Sequence, residues 1–124
     1  MNTNMNARLI VVVGPSGAGK DSLLAWLRAR LPARHSVHWV RRTITRPAQA
    51  GGEDHESLDD AVFDAAVQAG CFALHWQANG LHYGIRHSEL LPLAQGQWVM
   101  LNGSRAHLPD CAQVYPGLTV LHIV

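Results

Sequence analysis

The sequence predicts an open, mostly parallel α/β sheet that carries a small hairpin-bearing lobe, and three observations support that prediction. The apolar runs Leu9-Ile10-Val11-Val12-Val13 and Trp98-Val99-Met100-Leu101 have the continuous pattern of parallel strands covered on both faces. Segments of helical spacing alternate with these strands. One stretch, Phe72-Ala73-Leu74-His75-Trp76-Gln77-Ala78, alternates apolar and polar residues instead, and leads through Asn79-Gly80 into Leu81-His82-Tyr83-Gly84-Ile85. Asn-Gly between two such runs is the strongest short hairpin signal.

In chain order, residues 8–13 read as the first strand. A helix follows over 20–31, with Leu24, Leu27 and Leu31 on one face and Pro32 to stop it. Residues 36–40 give a short second strand. A helix over 59–69 has Leu58, Val62, Phe63 and Val67 on its apolar face, Asp59 or Ser57 as its cap, and Gly70 to close it. A short helix runs from Ser88 to near Gly96 with Pro92 in its first turn, and another spans 106–115, its start limited by Pro109. The last run, Leu118-Thr119-Val120-Leu121-His122-Ile123-Val124, reads as a central strand with no element after it, so the chain is expected to be shortened relative to its relatives. The whole reads as one incomplete domain, with a core over about 8–35 and 96–124 and a lobe over about 36–90.

Composition narrows the function. With 124 residues, 48% of them hydrophobic, the chain can bury a sizeable core. A formal charge of +1 with 15% charged residues excludes the global basic field of a nucleic-acid binder, so phosphate recognition must come from local clusters. Cys71 and Cys111 form no C-x-x-C pair and sit among apolar neighbours, as buried thiols of a reducing compartment do. Residues 1–7 lack the pattern of a signal peptide, and no apolar run reaches ~18 residues. The expectation is a cytoplasmic protein without a membrane or nucleic-acid partner. Its eight histidines show no metal-ligand spacing.

One motif carries chemistry. Gly14-Pro15-Ser16-Gly17-Ala18-Gly19-Lys20 satisfies G-x-x-x-x-G-K between a strand and a helix. Backbone N–H groups of such a P-loop cradle phosphate, the helix N-terminus adds partial positive charge, and Lys20 reaches the outer phosphates of a nucleotide. The next position, ordinarily Ser or Thr for magnesium, is Asp21, and Ser22 follows it. Arg41, Arg42 and Arg46 form a basic cluster after the second strand, which is either a solvated face or, as favoured here, an anion site. Asn102-Gly103-Ser104-Arg105 lies at the C-terminal end of a strand, where open α/β sheets bind ligands. His107 beside it is a candidate ligand contact. Tyr83 and Trp76 are either hairpin packing or ligand contacts.

On Gly14 to Leu24, Ile44-Thr45-Arg46, Asn79-Gly80-Leu81-His82-Tyr83-Gly84 and Asn102-Gly103-Ser104-Arg105-Ala106-His107-Leu108-Pro109, the chain resembles the guanylate-kinase-like P-loop kinases. Within that group it looks most like the ribose 1,5-bisphosphate phosphokinases. The resemblance implies a P-loop NTPase fold and transfer of the ATP γ-phosphoryl group to ribose 1,5-bisphosphate, giving 5-phosphoribosyl 1-diphosphate in phosphonate catabolism. The cofactors are then ATP and Mg2+. Gly14, Pro15, Ser16, Gly17, Ala18, Gly19, Lys20, Asp21 and Ser22 would bind the nucleotide, and Asp21 or Ser22 the magnesium. Arg42, Arg46, Tyr83, Asn102, Ser104 and Arg105 would hold the acceptor, with Lys20 and Arg46 catalytic.

Departures from true guanylate kinases point the same way. The second arginine of T-T-R-x-x-R is replaced by Gln49, and the position of the guanine-reading glutamate holds Leu74, which cannot accept guanine N–H bonds. Arg42 stands where a small Ser is usual, and Asn102 where Asp is usual. Kinases of this group also carry a lid and an adenine-contacting segment after the strand at which this sequence stops. The alternatives are a guanylate or other nucleoside-monophosphate kinase of the same fold, and a truncated non-catalytic phosphate-binding relic.

Overall fold

The computed structural model describes residues 8–15, 19–31, 37–47 and 54–123. Their elements run β1 (Arg8–Val13), α1 (Lys20–Arg30), β2 (Val37–Trp39), β3 (Thr43–Ile44), β4 (Glu56–Ser57), α2 (Asp60–Gln68), β5 (Phe72–Ala78), β6 (Leu81–Arg86), α3 (His87–Leu90), β7 (Trp98–Asn102), α4 (Leu108–Val114) and β8 (Thr119–His122). Two 3₁₀ segments, Leu91–Gln95 and Arg105–His107, precede β7 and α4. The chain divides into two units, one made of the segments up to Trp39 and from Leu91 onward, the other of Val40–Leu90.

In the first unit four strands form a fully parallel sheet in the order β2-β7-β1-β8. Leu9, Val11, Val12, Val13, Val99, Met100 and Leu101 are buried, as their continuous apolar pattern requires. β2, grouped with the lobe by the sequence reading, pairs with β7 through Val37 opposite Trp98 and so belongs to this sheet. Helix α1 is capped at its start by Gly19, whose φ of 85° suits glycine, and ends at Arg30, two residues before Pro32. Leu24, Leu27 and Leu31 are half-buried. The last strand differs from expectation. Among the described residues β8 pairs with β1 alone and all four of its residues are exposed, so it is an edge strand here. An apolar run reports strand propensity, but burial needs a covering partner.

The second unit holds a mixed sheet in the order β4-β3-β6-β5. The predicted hairpin is β5 and β6, turning at Asn79 and Gly80 with φ of 55° and 74°, the paired left-handed conformations of a tight hairpin turn. Sequence patterning misses β3 and β4, because two residues each are too few to show a period. Asp59, one of the two candidate caps of α2, is the cap observed: its Oδ1 accepts from the Val62 N–H at 2.8 Å, while Ser57 Oγ donates to the Arg46 carbonyl at 2.6 Å. Phe63 of α2 is buried and stacks on Phe72, with ring centroids 4.9 Å apart. In place of one helix from Ser88, α3 begins at His87 and gives way to the 3₁₀ segment that contains Pro92. The predicted helix over 106–115 likewise opens with a 3₁₀ turn, and Pro109 falls in the first turn of α4, where its missing N–H costs nothing.

The Phe72 ring lies so close to Gly84 that a Cβ there would meet three of its carbons at 2.7, 2.8 and 2.9 Å. Gly84→Ala is expected to lower stability by about 1–3 kcal/mol through overpacking. Urea denaturation of the two chains measures this, and a loss under about 0.5 kcal/mol would mean that the ring yields freely.

Candidate phosphate-transfer site

The register of the parallel sheet sets the geometry of the first cluster. With Val12 opposite Asn102, the segments after β1 and β7 leave the sheet at the same end. Ser16, Gly17 and Ala18 lie outside the described residues, as does Gln49. Gly14 is pressed against the residue that follows β8: a Cβ would stand 2.7 Å from the Ile123 carbonyl oxygen. Pro15 is exposed, and Gly19 opens α1. Lys20, the first residue of the helix, donates from Nζ to the Gly103 carbonyl oxygen at 3.1 Å. Asp21 is exposed and accepts at Oδ1 from Asn102 Nδ2 at 3.4 Å. Ser22 is exposed in the same turn. An ammonium and a carboxylate thus stand side by side at the N-terminus of a helix whose first N–H groups favour anions.

The segment that meets Lys20 is itself fixed. Gly103 N–H donates to the Val12 carbonyl at 2.8 Å. Ser104 Oγ accepts from the Ala106 N–H at 3.4 Å, which makes Ser104 the cap of the 3₁₀ turn that carries exposed Arg105. His107, a ligand-contact candidate from sequence, is 2% exposed. Its Nε2 accepts from the Ser104 N–H at 2.8 Å, and its Nδ1 lies 3.1 Å from Cys111 Sγ. A buried ring held at both nitrogens supports the loop from beneath and is not positioned to touch a ligand. Burial pushes the Cys111 thiol up to about 11, with Asp110 adding to the shift, so it is a neutral thiol at ordinary pH. Among the described residues no group of three or more His, Cys, Asp or Glu side chains could hold a metal. A magnesium–nucleotide site asks for less, since that ion takes one or two carboxylates and completes its shell with phosphate oxygens and water. The exposed Asp21 carboxylate beside Lys20 fits that requirement.

The second cluster belongs to the lobe. Arg42 is 8% exposed, and its guanidinium carbon lies 5.1 Å from the centre of the Tyr83 ring. Tyr83 stacks in turn on Trp76, with centroids 5.3 Å apart and planes within 6°. Trp76 and Tyr83 are therefore packing partners, one of the two readings open from sequence. Of the three clustered arginines, Arg41 pairs with Asp54 at 3.4 Å on an exposed surface. Arg46 is half-buried, its carbonyl engaged by His55 Nε2 at 3.0 Å and by Ser57. Leu74 is 4% exposed and shares a sheet face with Trp76 and Tyr83. On the opposite face Glu56 holds Arg86 through two hydrogen bonds of 2.7 and 3.0 Å, and Thr43 Oγ1 donates to Glu56 at 2.7 Å.

Two features escape sequence reasoning. The Glu56–Arg86–Thr43 network joins residues 13 to 30 positions apart through strands too short to foresee. The Trp76–Tyr83 stack was legible in principle, because residues counted outward from Asn79-Gly80 pair 78 with 81, 77 with 82 and 76 with 83.

The parallel sheet and the lysine-bearing glycine loop have the architecture of the P-loop NTPase fold. A solved guanylate kinase from Anaplasma phagocytophilum superposes with a TM-score of 0.73 over 94% of this chain and 58% of that one, at 16% identity. No family model matches the sequence. Among curated proteins the chain is similar to several named ribose 1,5-bisphosphate phosphokinase PhnN. It is 48% identical to that of Thiobacillus denitrificans over 92% of this chain and 60% of that protein. The corresponding figures are 52% over 90% and 60% for Chromobacterium violaceum, and 45% over 94% and 63% for Agrobacterium fabrum. The chain thus spans about three fifths of the length of these relatives.

Arg86, hydrogen-bonded to Glu56, holds that carboxyl below its ordinary value of 4.5 against the opposing effect of burial, with Thr43 and the charges of Arg86 and Arg41 assisting. A depressed carboxyl contributes stability above its unfolded value, and that contribution is lost as pH falls from there through the lower folded value. Urea midpoints followed from about pH 6 to about pH 3 should therefore fall less steeply for Glu56→Gln than for wild type. Identical acid limbs would remove the pair from the stability of the lobe.

Proposed function

We propose that this chain carries the phosphate-handling part of an ATP-dependent kinase that converts ribose 1,5-bisphosphate to 5-phosphoribosyl 1-diphosphate in the cytoplasm. The similarity to curated phosphokinases over 90–94% of the chain supports this acceptor above others. In this reading Lys20 and the loop amides hold the outer phosphates of ATP. Asp21 or Ser22 supplies oxygen to magnesium, which when bound neutralises charge on the phosphates. For the acceptor, the candidate contacts are Arg42, Arg46 and the Tyr83 hydroxyl in the lobe, and Asn102, Ser104 and Arg105 in the first unit.

The chemistry asks little covalent help of the protein. An oxygen of the acceptor's 1-phosphate forms a bond to the γ-phosphorus while the bond from that phosphorus to the β–γ bridging oxygen breaks, releasing ADP. The acceptor oxygen is already anionic, so no side chain is needed as a base, and positioning and charge neutralisation carry the rate. Lys20 in the first unit and Arg46 in the lobe are the residues assigned catalytic roles. Leu74 supports the choice of acceptor over GMP, since a buried leucine on the Tyr83 face offers no acceptor to a guanine edge.

The test supplies magnesium–ATP with either ribose 1,5-bisphosphate or GMP and follows products by 31P NMR. Formation of 5-phosphoribosyl 1-diphosphate is expected, and phosphorylation of GMP alone would overturn the proposal. Lys20→Ala should lower turnover by about 10²–10³. Arg42→Ala should raise the KM for ribose 1,5-bisphosphate by about tenfold while leaving that for ATP in place. Asp21→Ser should shift the magnesium dependence, and an unchanged dependence would leave the metal to Ser22.

A further inference from the structure

We infer that His107 is a positioning residue for Lys20 and acts through a single peptide group, an inference that rests on the phosphate-binding reading of Lys20. The two hydrogen bonds that meet at this loop belong to the same peptide plane. The Gly103 carbonyl accepts from Lys20 Nζ at 3.1 Å, and the Ser104 N–H, on the other side of that amide bond, donates to His107 Nε2 at 2.8 Å. Because a peptide is planar, fixing the direction of its N–H fixes the direction of its carbonyl. His107 therefore aims the oxygen that holds the ammonium.

The ring is built for that task. Accepting at Nε2 requires the neutral tautomer with its proton on Nδ1, which then donates to Cys111 Sγ at 3.1 Å. Cys111 is buried, four residues further along, so the ring has no freedom to turn. Gly103 completes the arrangement, since a Cβ at that position would lie 3.0 Å from His107 Nε2 and 2.7 Å from Val11 Cγ1. An ammonium carries three N–H donors about a three-fold axis, so placing one of them on the Gly103 oxygen sets the directions of the other two. A side chain with four rotatable bonds is thereby pre-organised before the nucleotide arrives, and less ordering remains to be done on binding.

The test compares wild type with His107→Leu, which has no acceptor, and His107→Gln, whose Oε1 can accept from the Ser104 N–H. Calorimetric titration with magnesium–ATP should show binding weakened about five- to tenfold in His107→Leu and largely restored in His107→Gln. In the ligand-free 15N-labelled protein, a coupling across the hydrogen bond between Ser104 N and His107 Nε2 is expected. The Lys20 methylenes should gain mobility in the leucine variant and not in the glutamine variant. If His107→Leu does not fold, His107→Asn, whose amide is too short to span the gap, takes its place with the same expectation. Unchanged or tighter binding by a folded leucine or asparagine variant, or a Lys20 side chain equally ordered in every variant, would overturn the inference. A wild-type chain that binds no magnesium–ATP would instead count against the phosphate-binding reading, and the coupling and Lys20 mobility would still decide the positioning role.

Discussion

The parallel pairing of β1 with β7 is the constraint on which the first unit depends. Its register sets Val12 opposite Asn102, so the glycine loop and the Asn102–Ser104 segment emerge together. Everything described around Lys20 follows from that single alignment: the lysine on the Gly103 oxygen, the aspartate on the Asn102 amide, and the Gly103 N–H on Val12. A slip of one residue would turn every side chain of β7 to the opposite face and take Asn102 away from Asp21. The burial of Val11, Val12, Val99 and Leu101 holds the register in place.

Much of this arrangement was legible because the relevant signals are local. The glycine that opens α1, the hairpin turn at Asn79-Gly80 and the Asp59 cap each depend on a few consecutive residues whose backbone preferences are strong. Asp21 and Asn102 were singled out separately, as unusual residues at two familiar positions, and the fold brings them within hydrogen-bonding distance. What could not be read is non-local or too short. β3 and β4 have two residues each, and the Glu56–Arg86 pair joins strands that are distant in sequence. His107, kept from sequence as a candidate ligand contact, is an instance. A histidine beside polar loop residues looks like a ligand contact until its burial is known, and burial is a property of the fold and not of the neighbourhood in sequence.

The two units distribute their chemistry unequally. In the first, Lys20, Asp21, Ser22 and Asn102 are exposed or half-buried, while His107 and Cys111 are buried. In the lobe, the cationic group is itself buried: Arg42 lies within the packing, and its charge is balanced against an aromatic face instead of being left to solvent. Such an arginine keeps a fixed direction at the cost of reach.

The stack at Tyr83 has a geometric consequence of its own. In the order β3-β6-β5, Arg42 approaches from the β3 side of β6 and Trp76 from the β5 side, so the phenol ring is flanked from both neighbouring strands. At 6% exposure it offers a visitor no plane to lie against. A flat heterocycle gains little from a ring it cannot overlap, so whatever contact Tyr83 makes outside the lobe is left to its edge.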